Sequence, residues 1–393
     1  MLIQTVVGCM MRPKAKATLR KDILRSLRKQ GYIVRCGRVE LPADTTKDDL
    51  RRVNEMACFK KREEARTRLA RYEGQLLSRI ATGSEVLPEN VSPRLVEVQP
   101  GTEDEMLFRY ICLHWSIPVS SGYGRRLRFL VEDQSNGKLI GLFGLGDPVY
   151  SLRARDQWIG WNAKAKKERL YHVMDAFVLG AVPPYSGLLC GKLVAMLAMT
   201  ETVREAFRRR YGGRETVISG QVRKPYLVLI TTTSALGRSS LYNRLRIDGT
   251  DYWHRLGTTE GWGEFHFSNG VYSDIRAYAD RWCEATAKKE PWGDGFRNKR
   301  EVIRKVLSRI GLSTALGKHG IQREIYGAPL GHDTLAFLKG ETNRPRFFNM
   351  TENAVWNAFR DRWFLARAQR CPEFQAFVPD SYKLWTPNEW RAR

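Results

Sequence analysis

An almost uninterrupted apolar stretch, residues 172–182 (HVMDAFVLGAV), is the feature that most constrains how this chain can fold. An apolar run of this length that ends in turn residues predicts a buried β-strand. The turn PPYSG (183–187) follows, and apolar residues then recur with helical spacing as far as Arg210, which predicts one long amphipathic helix. A helix N-terminus after a glycine-containing turn offers free amide groups to an anion. Residues 170–210 therefore predict a strand–turn–helix unit that can hold an anion or a cofactor.

Candidate site residues lie in and after this strand. Asp175 interrupts the apolar run, so it is either a general base with an altered pKa or a buried carboxylate satisfied by backbone amides or an arginine. In the turn and the helix that follows, Tyr185, Ser186, Gly187 and Lys192 are predicted to bind a cofactor. The glycine allows close approach of the backbone, and the lysine can neutralise a phosphate. The residues do not identify the cofactor.

The surrounding segments predict an α+β fold with a central mixed sheet. Residues 93–98 (PRLVEV) are typical of a strand, and residues 102–115 begin with a Thr-x-x-Glu capping box before an apolar helix. Residues 125–146 contain two apolar runs joined by a Ser-Asn-Gly turn, which predicts a β-hairpin. Further strands are predicted in 225–235 and 250–267, with a short helix between them.

The net charge of +24 is unevenly distributed along the 393 residues. Residues 1–80 contain 20 Lys and Arg against 9 Asp and Glu, and residues 288–370 contain 17 against 8. Residues 81–287 are nearly balanced, with 26 against 22. An excess of this size indicates an anionic partner, namely nucleic acid, an acidic protein surface or an anionic membrane. The pattern predicts a central domain flanked by two segments that face a polyanion.

Three segments follow from these patterns: a basic helical segment (1–90), an α+β domain (91–287), and a basic helical segment with an aromatic tail (288–393). Helices are predicted over residues 14–30 and from about residue 49 to residue 80. The two helices are either a solvated hairpin packed on the rest of the chain or a nucleic-acid-binding head that uses Lys and Arg to contact phosphates.

Several classes of protein are disfavoured. No apolar run reaches the ~18 residues that a membrane-spanning helix needs, and the N-terminus does not resemble a signal peptide. The seven cysteines include no CxxC pair, and no clustered carboxylate spacing indicates a metal-dependent nuclease. We therefore expect a cytoplasmic protein without a metal site and without a membrane partner.

The order of predicted elements is strand, helix, hairpin, strand, helix, strand, helix, strand, which is similar to the GCN5-related N-acetyltransferase fold. The resemblance implies that the strand–turn–helix unit corresponds to that family's acyl-coenzyme A site. The segment SSLYNRLRIDGTDYWHRLG places Tyr242 where such enzymes often keep a tyrosine general acid. Leu189, however, occupies a position where the acetyltransferase pyrophosphate loop has a small residue, which weakens the case for coenzyme A.

A more specific resemblance covers roughly residues 90–340. The runs GRRLRFLVED, KLIGLFGLGDPVYSLRARDQWIGW, MDAFVLGAVPPYSGLLCGKLVAMLA and LYNRLRIDGTDYWHRLGTTEGWG resemble the family of the Druantia anti-phage system protein DruA. This resemblance implies a component of a multi-gene bacterial antiviral system that works beside other Druantia proteins, including a helicase-like one. Three functions remain open: binding of nucleic acid in that complex, acyl or group transfer with Asp175 as base and Tyr242 as acid, and a non-catalytic adaptor for acidic proteins.

Overall fold

The chain is divided between two compact units. The structure is a computed structural model that describes residues 14–42, 44–120, 124–216, 220–247, 249–268, 270–285, 296 and 298–385. The first unit, here called the helical unit, consists of the described parts of residues 1–60 and 259–323. The second, here called the sheet unit, consists of the described parts of residues 61–258 and 324–393.

Thirteen α-helices and eleven strands are formed by the described residues. The helices are α1 (Lys16–Lys29), α2 (Lys47–Leu69), α3 (Glu73–Leu77), α4 (Glu103–Cys112), α5 (Arg153–Ile159), α6 (Ala163–Arg169), α7 (Cys190–Leu197), α8 (Glu201–Tyr211), α9 (Val271–Trp282), α10 (Lys299–Arg309), α11 (Thr334–Lys339), α12 (Glu352–Phe359) and α13 (Leu365–Arg370). The strands are β1 (Ile33–Arg35), β2 (Arg38–Glu40), β3 (Pro93–Glu97), β4 (Arg126–Asp133), β5 (Lys138–Gly146), β6 (Val173–Ala181), β7 (Leu229–Thr233), β8 (Arg246–Ile247), β9 (Thr250–Asp251), β10 (His254–Thr258) and β11 (Glu324–Pro329).

A seven-stranded mixed sheet organises the described part of the sheet unit. Its strand order is β10-β11-β7-β6-β5-β4-β3. Strands β3 to β6 pair antiparallel in sequence order, β6 and β7 are parallel, and β11 lies antiparallel between β7 and β10. The predicted α+β class with a central mixed sheet is confirmed.

Both faces of the sheet are covered by apolar helices. On one face, Leu193 of α7 belongs to a buried cluster with Phe143 and Met174 of the sheet. On the other face, Leu107 of α4 belongs to a cluster with Leu142. A strand buried on both faces carries an apolar residue at nearly every position, which explains the runs that were recognised in β5 and β6.

The predicted β-hairpin of residues 125–146 is confirmed as β4 and β5. Gly137 in its turn has φ +69°, a left-handed conformation that favours glycine. The Asn136 side chain accepts a hydrogen bond from the Lys138 amide at 2.9 Å. The turn chemistry that indicated the hairpin in the sequence is therefore what closes it in the structure.

The prediction of one long helix after the turn is wrong. A 3-10 helix over Tyr185–Leu188 comes first, and α7 then ends before the separate helix α8 begins. The break lies at Thr200, whose backbone is extended (φ −69°, ψ 163°) and whose hydroxyl donates to the Leu197 carbonyl at 2.8 Å. Thr200 thereby satisfies one of the free carbonyl groups at the end of α7.

The helical unit has its own core. Leu19, Ile23 and Leu27 of α1 are fully buried, in a cluster that includes Ile275 of α9 and Val306 of α10. The helical unit therefore joins residues from the N-terminal region to residues after 259. The division predicted from the sequence, at residues 90 and 287, stays a prediction.

The C-terminal segment packs on the sheet unit. The Gly83 amide donates to the Phe377 carbonyl at 2.8 Å, and a Cβ at Gly83 would lie 2.2 Å from the Phe374 carbonyl oxygen. Further along, the Leu384 amide donates to the Glu73 carboxylate at 2.7 Å. Gly83 is therefore a contact point that a larger residue cannot replace without moving the segment.

We expect Gly83→Ala to release this C-terminal segment, because its methyl group would overlap the backbone of residues 374 and 375. Overpacking of this kind costs about 1–3 kcal/mol of unfolding free energy. Limited trypsin digestion should then cleave faster at Arg370 and Lys383. Gly74→Ala is the matched control, because no atom lies within 4 Å of a Cβ there and alanine favours helix α3. Equal cleavage of both variants would contradict the prediction.

Candidate functional site

Asp175 lies at the point where the sheet changes from antiparallel to parallel pairing. It pairs in register with Gly146 of β5 on one side and with Thr231 of β7 on the other. The Thr231 hydroxyl donates to Asp175 Oδ1 at 2.8 Å. The backbone pairing of β6 with β7 ends at this residue. One residue further on, the Thr232 hydroxyl donates to the Ala176 carbonyl at 2.8 Å.

The surroundings of Asp175 favour its neutral form. Burial raises the pKa of this carboxyl to about 6, although the hydrogen bond from Thr231 and the charge of Arg155 both lower it. An ordinary aspartate has a pKa near 3.9, so desolvation outweighs the two favourable interactions. A carboxyl group that titrates near neutral pH can accept and return a proton, which is what a general base must do. This property supports the functional interpretation of Asp175, which stays a prediction.

Arg155, on the neighbouring helix α5, is held by internal contacts. It is fully buried, and it donates to the Val149 carbonyl at 2.9 Å, the Tyr150 carbonyl at 3.0 Å and Asp156 Oδ1 at 2.6 Å. Lys166 donates to the other oxygen of Asp156 at 2.6 Å. The charged groups of Arg155 and Asp156 are thus engaged by contacts within the protein.

Tyr242 lies on the opposite face of the sheet from Asp175. Its ring lies 4.7 Å from that of Tyr326 and 4.8 Å from that of Trp253, measured between centroids. Its hydroxyl is hydrogen-bonded to Thr232, whereas Asp175 is bonded to Thr231. Successive residues of a strand point to opposite faces, so the structure does not bring the predicted base and acid together on one face. Burial and, secondarily, the charge of Asp175 raise the pKa of Tyr242.

Tyr185, predicted to bind a cofactor, joins the turn after β6 to the β4–β5 hairpin. Its side chain is fully buried. The hydroxyl donates to Asp133 Oδ2 at 2.8 Å and accepts from Asn136 Nδ2 at 2.9 Å. Its polar group is therefore engaged within the protein.

Ser186 and Gly187, by contrast, are exposed. The Gly187 carbonyl accepts from Arg367 Nε at 3.0 Å. Leu189 follows with φ 62°, a left-handed conformation that is unusual for leucine, and it is the N-cap residue of α7. Ser186 and Gly187 are therefore the predicted cofactor-binding residues of this turn that remain accessible to a ligand.

Lys192, the predicted phosphate ligand, is bound to backbone carbonyls instead. Its Nζ lies 3.1 Å from the Ser240 oxygen, 3.0 Å from that of Leu241 and 2.9 Å from that of Asn243. These contacts occupy its three ammonium hydrogens and fix the loop that carries Tyr242. Burial, together with two nearby arginines, lowers the pKa of Lys192. Binding of a phosphate by Lys192 stays a prediction and would require these bonds to be exchanged.

Sequence reasoning missed Thr231 and Arg155 as the neighbours of Asp175. The run TTT in β7 was recognised only as a strand, because the residue that pairs with Asp175 depends on the register of two strands that are distant in sequence. Among the described residues, no group of three or more His, Cys, Asp and Glu side chains lies close enough to hold a metal ion. In the same part of the chain, no helix combines the length and the apolar character needed to cross a membrane.

We expect the wild type to lose unfolding free energy relative to the Asp175→Asn variant as pH rises from about 4 to about 6. The folded state holds the Asp175 proton more tightly than the unfolded state, so the wild type loses stability as pH passes through this window. Because the side chain is partly exposed, the difference should reach only about 1–2 kcal/mol.

Urea unfolding of both proteins at a series of pH values measures this difference. Thr231→Val serves as a companion variant, because loss of its hydrogen bond should move the upper end of the window to higher pH. Parallel stability curves for the wild type and Asp175→Asn would contradict the raised pKa.

Comparison with known proteins identifies the family. The family model described as Druantia protein DruA matches residues 44–340. A relative of that name from Escherichia coli (strain UMEA 4076-1) is 38% identical over 374 residues, which cover 94% of this chain and 90% of the relative. No solved structure gives a significant match. With most of both chains aligned at this identity, the protein belongs to the Druantia protein DruA family.

Proposed function

We propose that this protein is a component of a multi-protein bacterial anti-phage system and binds nucleic acid there. The first part is supported by the name of its relative, Druantia protein DruA. By the same resemblance, its partners are other Druantia proteins, including a helicase-like component. The second part is supported by the distribution of charge in the helical unit.

The outward face of α1 carries the observation on which nucleic-acid binding rests. Whereas the face toward α9 and α10 is apolar and buried, four basic side chains on the outer face are exposed: Lys21, Arg25, Arg28 and Lys29. Within the described residues, none of the four forms an ion pair, whereas Lys14 pairs with Asp22 at 2.6 Å. Four exposed cations on one face of a helix supply the charge that contacts with a phosphate backbone require.

Charge counts for the whole helical unit point the same way. Residues 1–60 and 259–323 contain 26 Lys and Arg against 14 Asp and Glu. This excess of +12 is half of the net charge of the protein in about a third of its length. A solvated surface needs no such concentration of one sign, whereas attraction of a polyanion does.

We expect the combined replacement of Lys21, Arg25, Arg28 and Lys29 by glutamine to weaken binding to duplex DNA most strongly at low salt. Each lost phosphate contact lowers the slope of log K against log salt by roughly 0.9, so four should lower it by about 2 to 3.5. Glutamine is a good helix former, so α1 should persist. Fluorescence anisotropy between ~50 and ~200 mM salt measures the slope.

A second quadruple variant of equal charge provides the control. Four basic residues of the sheet unit are exposed: Lys164, Lys167, Arg208 and Arg344. Their replacement by glutamine should leave the slope of log K against log salt largely unchanged. No binding by the wild type at ~50 mM salt would contradict nucleic-acid binding altogether. Co-purification of an acidic protein that survives nuclease treatment would then favour the adaptor function.

A second candidate function, acyl or related group transfer, is favoured by the position of Asp175. The strand order resembles that of GCN5-related N-acetyltransferases, because β6 and β7 are parallel and β11 lies between β7 and β10. In this interpretation Asp175 is the base, and the exposed Ser186–Gly187 turn and the start of α7 receive the donor. Three features oppose it. Leu189 occupies the small-residue position, and Lys192 is bound to carbonyls. The predicted acid Tyr242 also lies on the opposite face of the sheet from Asp175.

If the site accepts acyl-coenzyme A, saturating acetyl-coenzyme A should raise the melting temperature of the protein. Binding at 100 times Kd adds about 2.7 kcal/mol to the unfolding free energy. Leu189→Gly should enlarge the shift, because glycine adopts the left-handed φ of 62° without strain and leaves room for a pyrophosphate. Differential scanning fluorimetry, with ATP as control ligand, measures it. No shift in either protein at millimolar acetyl-coenzyme A would contradict this donor.

A further inference from the structure

Trp262 is an exposed tryptophan on a fixed backbone segment of the helical unit. Its side chain is 46% exposed, although indole rings are normally mostly buried. It stands in the sequence Gly261-Trp262-Gly263. An exposed ring of this size costs solvation free energy, so its backbone support and its neighbours indicate what it can bind.

Backbone hydrogen bonds hold the segment that carries Trp262. The Gly320 amide donates to the Gly261 carbonyl at 3.2 Å, and the Gly263 amide donates to the Gly317 carbonyl at 3.2 Å. Gly261 has φ +76°, and a Cβ there would lie 2.8 Å from the backbone of Gly320, so only glycine fits. The ring of Trp262 is thus presented by a rigid support, which lowers the entropy cost of binding.

The layer beneath the segment explains why the indole points outward. A Cβ at Gly263 would lie 3.0 Å from His319 Nε2, and His319 is buried beside His266. The Gly263 side therefore faces the interior. Trp262 pairs with Lys318 in an antiparallel bridge. Successive residues of extended backbone point to opposite sides, so the Trp262 side chain points away from the side that Gly261 and Gly263 turn to the interior. Its exposure follows from the packing of the glycines.

One basic side chain lies over the ring, and two more belong to the elements beside it. The Arg300 guanidinium lies 5.7 Å from the Trp262 ring centroid, and Lys318 is the bridge partner of Trp262. Arg304 lies one turn further along α10 on the same side as Arg300, and all three cations are exposed. None of the three forms an ion pair with a residue that the structure describes. Glu260 and Glu264 are the acidic residues nearest in sequence to Trp262.

We propose that Trp262, Arg300, Arg304 and Lys318 bind single-stranded nucleic acid, with a base stacked on the indole and phosphates contacted by the three cations. This inference rests on the nucleic-acid binding proposed above and assigns it a second surface with a different substrate form. An exposed aromatic platform among cations is the combination that single-strand binding requires. A duplex hides the faces of its bases, so it can use the cations but not the indole.

The test compares Trp262→Ala with Trp282→Ala in the full-length protein. Trp282 is 47% exposed in the same unit, and its ring has the Arg281 guanidinium 5.5 Å from its centroid. Acidic residues stand two positions away on each side of both tryptophans, Glu260 and Glu264 for Trp262 and Asp280 and Glu284 for Trp282. The two differ in their support, because Trp262 lies on the segment bridged to Lys318, whereas Trp282 is the last residue of α9. With a fluorescent 20-nucleotide dT strand, we expect Trp262→Ala to weaken binding about 5- to 150-fold, the worth of one stacked base.

The other variants separate stacking from folding and from charge. Trp262→Phe should retain most of the affinity because it keeps a ring, and Trp282→Ala should stay within about twofold of the wild type. Binding of a 20-base-pair duplex by Trp262→Ala should also stay within about twofold, which shows that the variant is folded. Arg300→Gln should lower the salt slope for the single strand by roughly 0.7.

Three results would overturn the inference: unchanged single-strand affinity of Trp262→Ala, equal losses for Trp262→Ala and Trp282→Ala, or a wild type that binds duplex but not single strand. The last result would leave the proposed function intact. A wild type that binds neither form would instead contradict nucleic-acid binding itself.

Discussion

The arrangement of the sheet unit depends on the pairing of β6 with β5 on one side and with β7 on the other. The antiparallel pairing with β5 covers residues 175–181 of β6, whereas the parallel pairing with β7 covers residues 173–175 and 229–231. A β-bulge lies next to Asp175 in β6, as shown by the shift of the β6 register against β5 between Ala176 and Val178. Bulges bend a strand and redirect its side chains, so the end of the backbone pairing between β6 and β7 at Asp175 has a local cause.

Glycines in β5 make this bulge possible. A Cβ at Gly144 would lie 2.4 Å from Phe177 Cζ, and one at Gly146 would lie 3.3 Å from Phe177 Cδ1. Phe177, the extra residue of the bulge, therefore lies over strand positions that have no side chains. Desolvation is the largest influence on the pKa of the carboxyl group of Asp175, two residues before Phe177.

The two units show different relations between sequence and structure. In the sheet unit, long apolar runs and the Ser-Asn-Gly turn were sufficient to predict β4, β5 and β6, because each pattern is local. The break at Thr200 was not predicted, since the apolar periodicity continues through it and only the buried position of the hydroxyl ends α7. In the helical unit, the amphipathic pattern predicted α1, but its partners α9 and α10 come from more than 240 residues away.

By itself, the sequence determined the α+β class, the hairpin, the strand that carries Asp175, the basic face of α1 and the family, because composition, periodicity and motifs are properties of neighbouring residues. Tertiary structure decided which groups meet. It placed Thr231 beside Asp175 and Tyr242 on the other face of the sheet. It directed the ammonium group of Lys192 into hydrogen bonds with three backbone carbonyls. It also brought Trp262 beside Arg300 and Lys318. These contacts depend on strand register and on the packing of distant segments, which no local pattern encodes.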